Sequence, residues 1–263
     1  MTYLVQTPLS SFKAYDIRGR VPSTLNANLA YALGRALVEV LHASTVVVGQ
    51  DARLSGPKLC TALASGLQAA GARVTDIGQC GTEEIYYAAA NQPFDAGVMI
   101  TGSHNPADEN GFKIVRGGAV PVSGDSGLDD IRDRVAQYLG NTLAKTTATC
   151  ESTSFRADYV RWLLSYSGLT GYADKCRRLK VVADAGNGCA GLVLKELAPH
   201  VPFEIVPLHW EPDGHFPNGV PNPLLKERRA ATAEAVRKAR ADFGVAWDGD
   251  FAAAFFTIAR ATL

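Results

Sequence analysis

Residues 44–50, STVVVGQ, form an almost unbroken apolar and β-branched run. Such a run shows no polar alternation, so it reads as a strand buried on both faces, which requires helices above and below a largely parallel sheet. The flanking sequence agrees. Pro57 opens a helical pattern with Leu59, Leu63 and Leu67 on one face, and Gly71 ends it. Ala72 to Ile77 reads as the next strand, and Thr82 as the cap of a helix running to Asn91. Asp95 to Thr101 is a third strand, continuing straight into Gly102-Ser103-His104-Asn105-Pro106. A short strand at Phe112 to Val115 and a helix near Gly127 to Leu139 complete this half. The fold class is therefore α/β, with mixed sheets flanked by helices.

Gly140 to Thr153 is rich in Thr, Ala and Ser without apolar periodicity and reads as a linker, giving domains at 1–145 and 154–263. The second domain repeats the alternation. Phe155 to Tyr166 is amphipathic, Leu179 to Ala183 is a strand, and a helix starts near Cys189. Strands follow at Phe203 to Pro207 and Phe243 to Trp247, with a helix at Ala230 to Arg240 between them. Glu211 to Pro223 contains six prolines or glycines and cannot be regular structure. No internal sequence repeat accompanies the shared alternation.

The 263 residues have room for two ordinary domains, and 47% are apolar. Lys+Arg and Asp+Glu both number 26, so no overall charge favours nucleic acid or an anionic membrane. Any anion specificity must be local. Five dispersed cysteines with no CxxC pair suggest reduced thiols and a cytoplasmic location. The N-terminus carries no signal-peptide pattern, and no run approaches a membrane span.

Four short segments carry candidate chemistry. Ser103 stands beyond the carboxyl end of a strand, where α/β proteins place functional loops, although Ser, Asn and Pro are also ordinary turn formers. Asp248-Gly249-Asp250 can direct two carboxylates at one divalent cation, or it is a plain Asp-Gly turn. In Lys13-Ala14-Tyr15-Asp16-Ile17-Arg18-Gly19, Arg18 could hold a phosphate by its planar fork, or be surface charge. Lys113, in Asn110-Gly111-Phe112-Lys113, is a proton-transfer candidate or a solvated lysine. Asp51 and Arg53 are expected to form an ion pair.

The order of these motifs is more specific than any one of them. KAYDIRG, GxDxR, GTEE-I-Y, T-x-SHNP, NGFK, DGxFPxGxPNP and DGDF resemble the α-D-phosphohexomutases, most closely the bacterial phosphomannomutase/phosphoglucomutase type, from Phe12 to Phe251. The resemblance implies an intramolecular phosphotransferase, an isomerase that interconverts hexose 1-phosphate and 6-phosphate through a 1,6-bisphosphate. It implies that Ser103 is the phosphorylated serine, with His104 beside it and Lys113 as general acid/base. Tyr15 and Arg18 fall on substrate contacts. The phosphoserine, Asp248 and Asp250 fall on Mg²⁺ ligands, with glucose 1,6-bisphosphate as activator. Hexose phosphates (mannose or glucose 1- or 6-phosphate) are the implied partners, the family being monomeric, with no role for nucleic acid or membrane.

Three departures stand out. Gly102 replaces the family's usual Ala. The family's metal loop reads D-G-D-x-D-R, whereas here the last two positions are Ala252 and Ala253. The resemblance also implies third and fourth domains, which this sequence does not contain, so it is expected to be a truncated, impaired form. The tail AAAFFTIARAT is what results when one base is lost from codons for DRCFLYDSEGNF, which suggests a frameshift after Phe251. Ala252 to Leu263 is therefore expected to pack poorly, leaving the last strand without its hairpin partner. The alternatives are a catalytically dead phosphosugar-binding remnant and a hydrolase acting through Asp248 and Asp250.

Overall fold

The computed structural model describes residues 9–139, 148–169 and 177–258. They fall into two compact units. One comprises the chain up to Gly102 together with Pro106–Thr153, the other Ser103–Asn105 together with the chain from Ser154.

The first unit contains β1 (Ile17–Arg20), α1 (Ala27–Leu41), β2 (Thr45–Gln50), α2 (Gly56–Ala69), β3 (Arg73–Gln79), α3 (Thr82–Asn91) and β4 (Ala96–Ile100). These are followed by β5 (Glu109–Arg116), β6 (Val120–Pro121), α4 (Leu128–Tyr138) and β7 (Glu151–Ser152). The sheet order is β1-β5-β4-β2-β3-β7, with β6 paired to β5. Strands β4, β2, β3 and β7 are parallel, whereas β5 is antiparallel to both of its neighbours, β4 and β1, so that β1 runs in the direction of the parallel set. On one face Val46 and Val48 of β2 pack with Leu29, Leu33 and Leu37 of α1 and with Leu59, Leu63 and Leu67 of α2. Val47 points to the other face and is equally buried, as are Ile85 of α3, Met99 and Val115. The two-sided burial expected of STVVVGQ is thus met.

Helix α1 starts where Asn26 Oδ1 accepts from the backbone N–H groups of Asn28 and Leu29, both at 3.1 Å. Helix α3 is capped differently from expectation. Gly81 is the N-cap, its N–H bonded to the Glu84 carboxylate at 3.0 Å, and Thr82 is the first helical residue. The segment Gly140 to Thr153 is not linker throughout, because Glu151 and Ser152 pair with Thr75 and Asp76 of β3. Its residues 140–147 lie outside the described residues.

The second unit contains α5 (Arg156–Ser167), β8 (Lys180–Asp184), α6 (Ala190–Leu197), β9 (Glu204–Leu208), α7 (Ala230–Ala239), β10 (Phe243–Trp247) and β11 (Ala254–Thr257). The sheet order is β11-β10-β8-β9, with β11 antiparallel to β10 and the other three parallel. Residues 211–223 form no helix or strand, as their prolines and glycines require. Ala183, Ala185, Ala190 and Leu194 form a small core, with Trp210 and Trp247 against it.

The tail departs from expectation. Residues 254–257 pair in register with β10, so the last parallel strand does have a hairpin partner. Backbone bonding needs no particular side chain, and Phe256 finds Phe243 across the ladder with ring centroids 5.9 Å apart. Phe256 and Ile258 nevertheless remain 70% and 72% exposed. Residues 259–263 lie outside the described residues.

Both units use one parallel strand order. In each, the first strand lies between the second and the third: β2 between β3 and β4, and β8 between β9 and β10. Successive connections therefore leave the first strand in opposite directions, creating a switch point between first and third strands. Loops beyond the carboxyl ends of such strand pairs are where open α/β sheets bind ligands.

Candidate functional site

In the second unit, two loops meet at that switch point. The loop after β8 presents Gly188 and Cys189, and the Cys189 N–H donates to the Gly249 carbonyl at 3.0 Å. The loop after β10 carries Asp248, Gly249 and Asp250. It closes on itself: the Phe251 N–H donates to the Asp248 carbonyl, and the Ala253 N–H donates to Asp248 Oδ1 at 2.9 Å. Gly249 is dictated by proximity, since a Cβ there would lie 2.7 Å from the Ser103 carbonyl.

The Ser103–Asn105 tip belongs to this same unit. Ser103 is 4% exposed and has φ +49, a left-handed backbone that costs a non-glycine residue on the order of 1–3 kcal/mol. Its Oγ donates to Asp248 Oδ2 and lies 3.2 Å from His104 Nδ1. His104 Nδ1 is also 3.8 Å from Asp248 Oδ2. Four sequence-predicted residues, Ser103, His104, Asp248 and Asp250, are therefore gathered in one unit, although Ser103 and Asp248 are 145 positions apart.

Asp248 and Asp250 are almost wholly buried, at 2% and 0% exposure. Burial first, and the neighbouring Asp250 carboxylate second, push Asp248 up to about 7. Two acids sharing a dry loop repel each other, and a hard cation with oxygen ligands relieves that repulsion. The donor set present is chemically suited to Mg²⁺: two carboxylates and the Ser103 oxygen. It is also sparse. Among the described residues no three His, Cys, Asp or Glu side chains form a ready metal cluster.

The first unit holds the remaining candidates. Arg18 of β1 pairs with Gly111 of β5, and Lys113 lies two residues along that strand, so both side chains project from one face of the sheet. Arg18 Nε bonds Asp16 Oδ2 at 2.7 Å, while its buried Nη1 has no hydrogen-bond partner. Lys113 Nζ donates to Thr82 Oγ1 at 3.3 Å. Tyr15 is 81% exposed.

Two supporting pieces were not legible as functional in the sequence. The Gly188-Cys189 backbone holds the Asp248 loop through a contact that no spacing announces. Asp51 and Arg53 were expected to be an ion pair, and they are one, at 3.3 Å with Arg53 fully buried. The surroundings that bury them are three-dimensional, and the GxDxR pattern gives no sign of them.

Residues 9–141 match alpha/beta/alpha domain I of phosphoglucomutase/phosphomannomutase, and residues 157–260 match its domain II. A protein named "Phosphohexose mutases" from Xanthomonas campestris pv. campestris is 52% identical over 248 residues, covering 94% of this chain and 54% of that protein. A phosphomannomutase from Escherichia coli is 46% identical over 252 residues, covering 93% of this chain and 54% of its own length. The crystal structure of a phosphoglucomutase/phosphomannomutase family protein from Burkholderia thailandensis superimposes with a TM-score of 0.83 at 34% identity, covering 96% of this chain and 55% of that one. The chain thus spans about half the length of the curated relatives it matches. With both of its α/β units matched, the chain belongs to the phosphoglucomutase/phosphomannomutase family.

Proposed function

We propose that the chain carries the phosphoryl-transfer half of a hexose phosphate mutase, with Ser103 as the residue that takes up and returns phosphate. The observation that carries this reading is the buried Ser103 hydroxyl on Asp248, flanked by His104 and adjoining Asp250. In the charging step the Ser103 Oγ–H bond breaks and an Oγ–P bond forms, while an O–P bond of the bisphosphate is cleaved to leave a sugar hydroxyl. The reverse step phosphorylates the other hydroxyl of a hexose monophosphate. His104 Nδ1, 3.2 Å from Ser103 Oγ, is assigned the proton that Ser103 gives up and regains. Lys113 is assigned the sugar hydroxyl proton. Arg18, with Nη1 unpartnered, and the exposed Tyr15 are assigned to the substrate.

Mg²⁺ would be held by Asp248, Asp250 and the phosphorylated Ser103, and when bound it supplies neutralisation of charge on the transferring group. We assign this site a weak affinity. Ala252 and Ala253 stand where the resembled metal loop has an acid and an arginine, and the cation demands near-octahedral oxygen coordination. That observation also favours a second reading, a phosphosugar-binding chain without turnover.

Incubation with glucose 1,6-bisphosphate and Mg²⁺, followed by mass spectrometry of the peptide containing Ser103, separates the two. Phosphate on Ser103 that is absent in Ser103→Ala supports transfer. Tight sugar phosphate binding with no label on Ser103 leaves only the binding reading.

A further inference from the structure

We infer that Asp51 and Arg53 are positioning residues for phosphoryl transfer, setting the conformation of the Ser103 loop by gripping both of its limbs. The inference rests on the functional reading above. On the incoming limb, Asp51 Oδ2 accepts from Thr101 Oγ1 at 2.8 Å and from the Gly102 N–H at 3.1 Å. On the outgoing limb, Arg53 Nη1 donates to the Pro106 carbonyl and to the Glu109 carbonyl, the latter at 2.7 Å. The two grips are joined, because Arg53 Nε lies 3.3 Å from Asp51 Oδ2 and the Arg53 N–H donates to Asp51 Oδ1 at 2.9 Å. Ser55, two residues on, accepts from Asn110 Nδ2 at 2.9 Å. A five-residue stretch after β2 thus contacts the chain on both sides of Ser103.

Gly102 makes room for this arrangement. A Cβ at 102 would lie 2.3 Å from both Cζ and Nε of Arg53. As it lies here, the guanidinium fills the space beside the Gly102 Cα. A loop spanned in this way has little freedom between Gly102 and Pro106. Ser103 there keeps a left-handed φ of +49, which persists only when the surroundings over-determine it. Arg53 reaches two carbonyls and a carboxylate at once with a planar fork, a geometry that a lysine ammonium cannot reproduce.

The test compares wild type and Arg53→Lys. Arg53→Lys keeps the charge beside Asp51, and circular dichroism checks that the variant is folded. Ser103 phosphorylation is followed against glucose 1,6-bisphosphate concentration. The expected result for Arg53→Lys is a maximal labelling rate at least tenfold lower, with the half-saturating concentration within twofold of wild type. Amide exchange is read in parallel, without ligand. The segment 101–110 should exchange at least tenfold faster in Arg53→Lys, with β2 and β4 unchanged. Exchange identical to wild type overturns the clamp, whether or not Ser103 is labelled. Faster exchange with an unchanged labelling rate overturns its role in transfer. Absence of label in wild type overturns the functional reading and with it the catalytic meaning of the clamp, while exchange still decides whether the clamp exists.

Discussion

Asp248 sits where two demands conflict: it accepts from Ser103 and from the Ala253 N–H, both of which favour its ionised form, yet it is buried beside Asp250. Burial and repulsion win, and its folded value of about 7 stands above the 3.8 of an unperturbed aspartate. Between those values the folded chain keeps a proton that the unfolded chain has released, so stability falls as pH rises from about 4 to about 7. With chelator present, the melting temperature should therefore be lower at pH 8 than at pH 5, and Asp248→Asn should flatten the difference. A wild-type profile that is flat or rises over this window would contradict the assignment. Adding Mg²⁺ at pH 8 should recover part of the loss, since the cation substitutes for the proton. Ala252→Asp should strengthen that recovery, raising Mg²⁺ affinity on the order of tenfold by calorimetric titration.

Among the elements, α1 shows how a local signal becomes a global one. Asn26 satisfies two N–H groups that the first turn leaves open, and the helix so started delivers Leu29, Leu33 and Leu37 to the core. Asn26→Ala should lower stability by about 1 kcal/mol, a melting shift of roughly 2–4 °C, without affecting Ser103 labelling. Elements of this kind were readable because their apolar spacing is strong. Strand β1 was not: Ile17-Arg18-Gly19-Arg20 has one buried apolar residue and exists by pairing with β5, nearly a hundred positions away. For β11, the expectation of a missing partner failed because ladder bonding is indifferent to side-chain identity. The site was legible as a set of motifs, through resemblance. Its geometry was not, because the Ser103–Asp248 bond and the Arg53 contacts join segments whose spacing carries no period.

The molecule as a whole has no net charge, with a calculated pI near 7.0, so charge repulsion between copies is weakest near neutral pH. Among the described residues the outer edge of β11 is unpaired, and it displays Phe256 and Ile258 with no charge from Phe251 to Ile258. An open, uncharged, aromatic edge is a template for further strands. Light scattering at pH 7 should show a mass that climbs with concentration, and Phe256→Lys should suppress the climb while leaving the melting temperature within about 2 °C, as expected for an exposed site. An unchanged climb in the variant would place the association elsewhere.

The strand order shared by the two units, with the first parallel strand between the second and third, has a consequence for inheritance. Each sheet is specified by its strands and helices, while Ala252 is exposed and Ala253 half-buried outside the core of the second unit. Substitution at such positions can therefore leave the scaffold standing, as Ala252 and Ala253 coexist here with an in-register β11. In such a chain the architecture and the activity are separately heritable, and the architecture can outlast the activity.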